Sequence, residues 1–165
     1  MDRPEELIDR LLAANAAYAA GHVSRPSAIP ALGLTLVTCM DTRIDPLSAF
    51  GLELGDAHVL RNAGGRVTDD VLRSLAVSSH LMQVRAVAVV QHTGCGMLGT
   101  TEEELRSRTG ADIDFLPIAD HASALEEDLE LLLSTPWLGR LELSVGFVYD
   151  LDTGRLTELA RRSRT

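Results

Sequence analysis

The sequence of 165 residues contains no lysine, two cysteines and few aromatic residues, which make up 4% of the chain. All 15 basic residues are arginines, and 24 acidic residues outnumber them, so the formal net charge is -9. A nucleic-acid-binding protein needs a basic surface stripe, and the sequence contains none. Two cysteines are too few for a disulfide framework. We therefore expect neither a nucleic-acid partner nor a disulfide-stabilised fold.

Long hydrophobic runs are also missing. No apolar segment approaches the ~20 residues that a membrane-spanning helix needs. The first residues are acidic where a secretory signal peptide would be basic, and no short apolar segment follows them. These absences predict a cytoplasmic protein with no membrane partner. In a reducing cytosol, Cys39 and Cys95 would be metal ligands, catalytic thiols or inert core residues rather than a disulfide bridge.

Short apolar segments alternate with helical patterns along the chain. The segments that predict strands are 34–38, 57–60, 85–91 and 143–149. The segments that predict helices are 4–20, 68–80, a short stretch opening at Thr101, and 120–134.

A turn at Asp152-Thr153-Gly154 further predicts a short return strand over 155–157. Strands that alternate with helices predict an α/β fold with a mainly parallel central sheet, one antiparallel edge strand and helices on both faces. The length predicts a single domain, residues 1–165, in which residues 1–30 form an N-terminal helical arm and loop.

Residues of the type that binds metals follow two of the predicted strands. Cys39 follows the first strand, and His92 and Cys95 follow the third. In a doubly wound sheet, sites form outside the carboxyl ends of neighbouring strands. Two thiolates and one imidazole suit zinc, and three protein ligands leave the fourth position open, as in catalytic zinc sites. The alternative is that these residues are an ordinary buried histidine and small hydrophobic cysteines.

Asp41 and Arg43 lie in the same loop as Cys39 and are two residues apart. An arginine offers a bidentate fork that keeps a carboxylate ionised and oriented. Such a carboxylate beside zinc would accept a hydrogen bond from a water molecule on the metal, or would itself become the fourth ligand in a closed state. The alternative is a surface ion pair of little energetic value.

Two glycine-containing loops allow other interpretations. Gly94, Gly96 and Gly99 match the spacing of a dinucleotide-binding loop, but Glu102–Glu104 would repel a pyrophosphate, and residues 109–118 lack the required strand. The loop 61–65 is either an anion site or a tight turn with close backbone approach. The remaining histidines have no ligand spacing and are expected to be structural or exposed; they are His22, His58, His80 and His121.

Three segments together resemble the β-class carbonic anhydrases, in particular their small archaeal-type branch. The segments are Cys39-Met40-Asp41-Thr42-Arg43, Arg61-Asn62-Ala63-Gly64-Gly65 and His92-Thr93-Gly94-Cys95-Gly96-Met97. Residues 114–117 and 146–155 extend the resemblance, which covers about residues 4–157.

The resemblance implies Zn²⁺ bound by Cys39, His92 and Cys95, with Asp41 and Arg43 as the catalytic dyad. It implies reversible hydration of carbon dioxide to bicarbonate by metal-hydroxide attack. It also implies a homodimer or tetramer, with the N-terminal helix lying across the partner. Two alternatives share the zinc site: a hydrolase of carbonyl sulfide or carbon disulfide, and a non-catalytic homologue that binds zinc or bicarbonate.

Overall fold

The computed structural model describes residues 3–24 and 27–164. The strands are β1 (Leu34–Cys39), β2 (Ala57–Asn62), β3 (Ala86–His92), β4 (Leu143–Tyr149) and β5 (Leu156–Ser163). The α-helices are α1 (Pro4–Ala19), α2 (Pro46–Phe50), α3 (Asp69–Leu81), α4 (Glu102–Thr109) and α5 (His121–Ser134). Short 3₁₀ turns lie at Ala63–Gly65 and Pro136–Leu138.

The strands form one sheet in the order β2-β1-β3-β4-β5. The pairs β1–β2, β1–β3 and β3–β4 are parallel, and β5 runs antiparallel to β4. The predicted α/β fold, with a mainly parallel sheet and one antiparallel edge strand, is confirmed. Since β1 and β3 are parallel neighbours, their carboxyl ends meet at the same edge of the sheet. The topology therefore brings together the two loops that carry the candidate ligands.

The main core lies between the sheet and the helices α3 and α5. Val37 and Val89 from the strands, and Leu75, Leu125 and Leu129 from the helices, have no exposed surface. Thr68 caps α3 by accepting a hydrogen bond from the Val71 amide, as the sequence pattern indicates. The Asp120 carboxylate likewise caps α5. These caps fix where each helix begins and therefore how its apolar face meets the sheet.

Two elements differ from the sequence-based expectation. The sequence pattern does not predict α2, because five residues are too few to show a helical period; Asp45 caps this helix and Pro46 opens it. The return strand β5 extends to Ser163 instead of ending at residue 157. Most of its side chains are exposed, so it lacks the apolar pattern of a buried strand, and pairing with β4 defines it.

Helix α1 stands apart from this core. In the described structure none of its residues is buried, although it carries large apolar side chains. Leu7, Ile8, Leu11, Leu12 and Tyr18 are between 38% and 64% exposed. The helix predicted over residues 4–20 is therefore present, but its apolar stripe remains largely exposed in the part of the chain that the structure describes. Among the residues described, no helix combines the length and the hydrophobicity needed to cross a bilayer.

Candidate metal centre

The three candidate ligands converge where β1 and β3 end. Cys39 is the last residue of β1, His92 is the last residue of β3, and Cys95 lies three residues further on. Their ligand atoms all lie within 4.8 Å of one another, and the two sulfur atoms are 3.9 Å apart. All three side chains are buried. The structure thus brings together the three residues that the sequence singles out at two separate loops.

The turn at Ala63–Gly65 packs directly under this cluster. Gly65 has a φ of +65°, and a Cβ built on it would lie 2.8 Å from the Val90 carbonyl oxygen and 3.0 Å from the Cys39 backbone nitrogen. Only glycine allows this approach to both ligand-bearing strands. Asn62 closes the turn, because its side chain exchanges hydrogen bonds with the backbone N–H and C=O of Arg66. The loop 61–65 therefore forms a tight turn with close backbone approach.

The donor set fits zinc. Two Zn–S bonds of about 2.3 Å at a tetrahedral angle place the sulfurs about 3.8 Å apart, close to the observed spacing. The His92 Nδ1 atom lies 2.9 Å from the Thr93 carbonyl oxygen, so Nδ1–H donates there and Nε2 carries the lone pair. Among the described residues, Nε2 is buried and has no hydrogen-bond partner. A metal ion would satisfy this otherwise unpaired atom.

The two thiols form an unequal pair. A hydrogen bond from Cys95 lowers the pKa of Cys39 to about 5, with smaller contributions from His92 and from the backbone of Asp41 and Gly64. The same interaction, together with burial, raises the pKa of Cys95. The shared hydrogen bond thus favours the ionised form of one sulfur over that of the other. A divalent cation would supply the charge that lets both sulfurs be thiolates.

Asp41 is held beside this cluster by Arg43. The Arg43 Nε donates to Oδ1 of Asp41 at 2.9 Å, its Nη2 donates to Oδ2 at 2.6 Å, and its backbone amide donates to Oδ1 at 2.9 Å. These hydrogen bonds hold the pKa of Asp41 well below its usual range. Arg43 also donates to the Gly94 carbonyl at 3.1 Å and so reaches the second loop. The Asp41 Oδ2 atom lies 3.8 Å from His92 Nε2, which places an ionised carboxylate next to the metal-binding atom.

A cavity of about 240 Å³ opens beside the ligands. Cys39, Asp41 and Cys95 form its polar side, and Ala63 and Met97 contribute apolar walls. This volume admits a small molecule beside the candidate ligands. The helix that follows the second loop argues against the alternative that this loop binds a dinucleotide. Helix α4 begins at Glu102 with three acidic residues in its first turn, an arrangement that repels a pyrophosphate.

Sequence reasoning missed two contacts near the site. Arg61, at the end of β2, donates from Nε to the Cys39 carbonyl at 2.9 Å and from Nη2 to the Asp41 carbonyl at 2.6 Å, and so supports the loop between them. His121 forms a 2.8 Å hydrogen bond through Nδ1 with Oε1 of buried Gln91. Neither contact has a local signal, because each joins residues from different elements. His121 is not part of the ligand cluster, as expected for a structural histidine.

Comparison with known proteins agrees with this geometry. Residues 34–135 match the family model described as carbonic anhydrase. The chain is 36% identical over 157 residues to β-carbonic anhydrase 1 of Mycobacterium tuberculosis, covering 92% of this chain and 96% of that protein. It is 33% identical over 153 residues to a carbon disulfide hydrolase of Acidianus, covering 74% of this chain and 75% of that protein.

Solved structures also resemble this chain in fold. The crystal structure of carbonic anhydrase from Streptococcus mutans superposes with a TM-score of 0.84 at 38% identity, covering 97% of this chain and 100% of that chain. The apo form of a carbon disulfide hydrolase superposes with a TM-score of 0.65 at 29% identity, covering 94% of this chain and 91% of that chain. Sequence, fold and ligand geometry agree, and this chain belongs to the β-carbonic anhydrase family.

Proposed function

We propose that this protein catalyses the reversible hydration of carbon dioxide to bicarbonate and a proton. The observation that carries the proposal is the cluster of Cys39, His92 and Cys95 with the Asp41 carboxylate 3.8 Å from His92 Nε2. Family membership supports the same reaction. Carbon dioxide is small and uncharged, and the cavity beside the ligands has room for it and is partly apolar.

Cys39, His92 and Cys95 would hold the zinc ion. When bound, zinc would act as a Lewis acid that lowers the pKa of a coordinated water and makes it a nucleophile near neutral pH. Asp41 accepts a hydrogen bond from the attacking water at a carboxylate oxygen and so directs the oxygen lone pair towards the carbon of CO2. Arg43 keeps that carboxylate ionised and fixed in orientation.

Asp41 also has an alternative role that the same geometry allows. Both of its carboxylate oxygens accept hydrogen bonds from Arg43 in the structure. If Arg43 releases it, the carboxylate is near enough to His92 Nε2 to compete for the fourth ligand position and close the site. We propose that the Arg43 contact maintains the open state.

A second candidate is the hydrolysis of carbon disulfide or carbonyl sulfide at the same centre. The 33% identity to a carbon disulfide hydrolase of Acidianus favours it, because the ligands alone do not distinguish linear CO2 from its sulfur analogues. The fixed Asp41–Arg43 dyad argues against a non-catalytic role in binding zinc or bicarbonate, since such a protein has no need for it.

The test is stopped-flow CO2 hydration on purified, zinc-quantified protein. We expect one zinc ion per chain and CO2 hydration far above the buffer rate. Carbon disulfide and carbonyl sulfide should be assayed on the same preparation and as competitors. If the fully zinc-loaded protein hydrolyses a sulfur substrate but leaves CO2 hydration at the buffer rate, the proposed reaction is wrong.

We also propose that residues 1–165 form a single domain whose N-terminal arm, residues 1–30, docks on a second copy of the chain in a homodimer or tetramer. Helix α1 supports this, because none of its residues is buried by its own chain while its apolar stripe is exposed. A cytoplasmic location fits as well, since the two site sulfurs must stay reduced to bind zinc.

Removing residues 1–20 should therefore lower the oligomeric state, measured by light scattering at several protein concentrations. A substitution tests the same surface without shortening the chain. Leu12→Asp places a charge on the apolar stripe and should weaken association, whereas Glu5→Gln, on the same helix, should not. A folded truncated protein that keeps the parent oligomeric state would contradict the proposal.

A further inference from the structure

A buried ion pair lies behind the cavity, between the turn at Ala63–Gly65 and helix α5. Arg66 and Asp128 have side chains only 3% and 2% exposed, and Nε of Arg66 donates to Oδ2 of Asp128 at 2.8 Å. The other Asp128 oxygen accepts a hydrogen bond from the Val67 amide at 3.2 Å. Among the described residues, no other ion pair has both partners this deeply buried. Burying two charges is expensive, so the arrangement calls for an explanation.

The Nη2 atom of Arg66 donates to the exposed Glu127 carboxylate, also on α5, at 3.1 Å, whereas Nη1 reaches a different part of the chain. Its Nη1 donates to the backbone carbonyls of Leu116 and Pro117 at 3.1 and 3.3 Å. Leu116 has a φ of +53°, a conformation that a leucine rarely adopts and that needs support from its surroundings. The guanidinium therefore fixes the course of the segment just before Ile118, which has no exposed surface.

Both segments that Arg66 contacts are connected to residues that line the metal cavity. Its own backbone closes the turn that contains Gly64, and Gly64 lines the cavity. Ile118 packs in the same apolar cluster as the two cysteines. The Ile118 amide also donates to the carbonyl of Met97, a second cavity-lining residue, at 2.9 Å. Through these contacts Arg66 is linked to two residues that line the cavity, Gly64 and Met97.

We infer that Arg66, held by Asp128, is a positioning residue that fixes the shape of the substrate cavity. It touches neither the cluster of ligands nor the cavity itself, so it acts through the Ala63–Gly65 turn and through Ile118. The inference rests on the function proposed above, because it assigns the pair to the same site. It predicts an effect on substrate fit, whereas a purely structural pair would affect stability alone.

The informative variant replaces both charges with apolar side chains of similar length, Arg66→Met with Asp128→Leu. Removing one partner leaves the other charge buried and unpaired, whereas replacing both often leaves a protein as stable as before. Asp128→Asn is the smaller change and keeps the side-chain shape. The matched control makes the same double replacement at the exposed pair Arg73–Asp70, whose side chains are 73% and 74% exposed.

Two measurements separate positioning from stability. In the zinc-loaded protein, we expect KM for CO2 to rise about tenfold in the double variant with a smaller change in kcat, because the walls contact substrate and the dyad is untouched. In the cobalt-substituted protein, the Kd of thiocyanate, measured from the cobalt spectrum, should rise to a similar extent. The Arg73→Met, Asp70→Leu control should match the parent protein in both.

The inference is overturned if the folded double variant keeps the parent KM and thiocyanate Kd. If that variant does not fold, the same two readouts on Asp128→Asn decide, and parent values there overturn the inference equally. Failure of the proposed function is recognised separately. A parent protein that does not hydrate CO2 refutes the activity, while thiocyanate binding still reports on the shape of the cavity.

Discussion

Cys95→Ser should abolish zinc binding and CO2 hydration together. Serine keeps the size of the side chain but loses the thiolate, and its hydroxyl does not ionise at neutral pH to replace it. Two remaining ligands, Cys39 and His92, are too few for a stable zinc site. We expect zinc content to fall from one ion per chain to a small fraction and hydration to fall to the buffer rate, measured by elemental analysis and stopped flow.

The control should alter the cavity and leave the ligands unchanged. Met97→Leu is suitable, because it replaces one apolar wall residue with another of similar volume. This variant should keep full zinc occupancy. Cobalt exchange adds a second criterion, since loss of a sulfur ligand changes the thiolate charge-transfer bands. Full zinc occupancy and an unchanged cobalt spectrum in Cys95→Ser would show that the assigned ligand set is wrong.

Arg43→Ala should depress turnover about 100-fold while zinc content stays intact. Arg43 provides three of the hydrogen bonds that hold Asp41, one of them from its backbone amide, which the substitution retains. Without the side chain, the carboxylate, whose Oδ2 lies 3.8 Å from His92 Nε2, would be free to move towards the three candidate ligands. Asp41→Ala should also lower turnover, but by leaving the attacking water without an oriented acceptor.

The charges at the site also predict the pH profile of the parent protein. Arg43 keeps the pKa of Asp41 well below its usual range, so Asp41 stays ionised throughout the working range and does not itself produce an acid limb in the parent protein. Two thiolates cancel the charge of the zinc ion, so a coordinated water should be less acidic than at a three-histidine centre, where its pKa is about 7. Activity should therefore be low in acid and rise into alkaline pH.

Zinc must be quantified in each variant alongside the profile. A parent profile that is flat down to about pH 6 would contradict the charge argument. An Arg43→Ala protein as active as the parent would contradict the role assigned to the dyad. Arg73→Ala is the matched control, because Arg73 also binds a nearby aspartate but lies on the exposed face of α3.

The parts of the fold that the sequence predicts are those with a strong local pattern. The apolar run before His92 becomes β3, and Thr68 caps α3 where its side chain indicates. The position of the ligands could also be predicted, because Cys39 and His92 end two strands and parallel neighbours end at one edge. Local pattern and topology together are sufficient to predict that these two residues lie close together.

Long-range side-chain contacts could not be predicted in the same way. Arg61 and Arg66 are five residues apart in one polar stretch, yet one supports the Cys39–Asp41 loop and the other reaches α5. Nothing in their neighbours distinguishes these roles, because each depends on which segment the fold places opposite. The sequence pattern predicts too short an edge strand β5 for a related reason. The strand is defined by its pairing with β4, and its own composition does not show where it ends.

The packing at Gly65 limits how this sequence can diverge. Any side chain there would meet backbone atoms of two strands, at 2.8 Å from the Val90 oxygen and 3.0 Å from the Cys39 nitrogen, and backbone has no rotamer to yield. Gly94 differs, because a Cβ on it meets nothing within 4 Å and only its φ of +63° restricts it. Gly94 can thus be replaced by residues that tolerate a positive φ. A substitution at Gly65, in contrast, would require the backbone of both ligand-bearing strands to move at the same time.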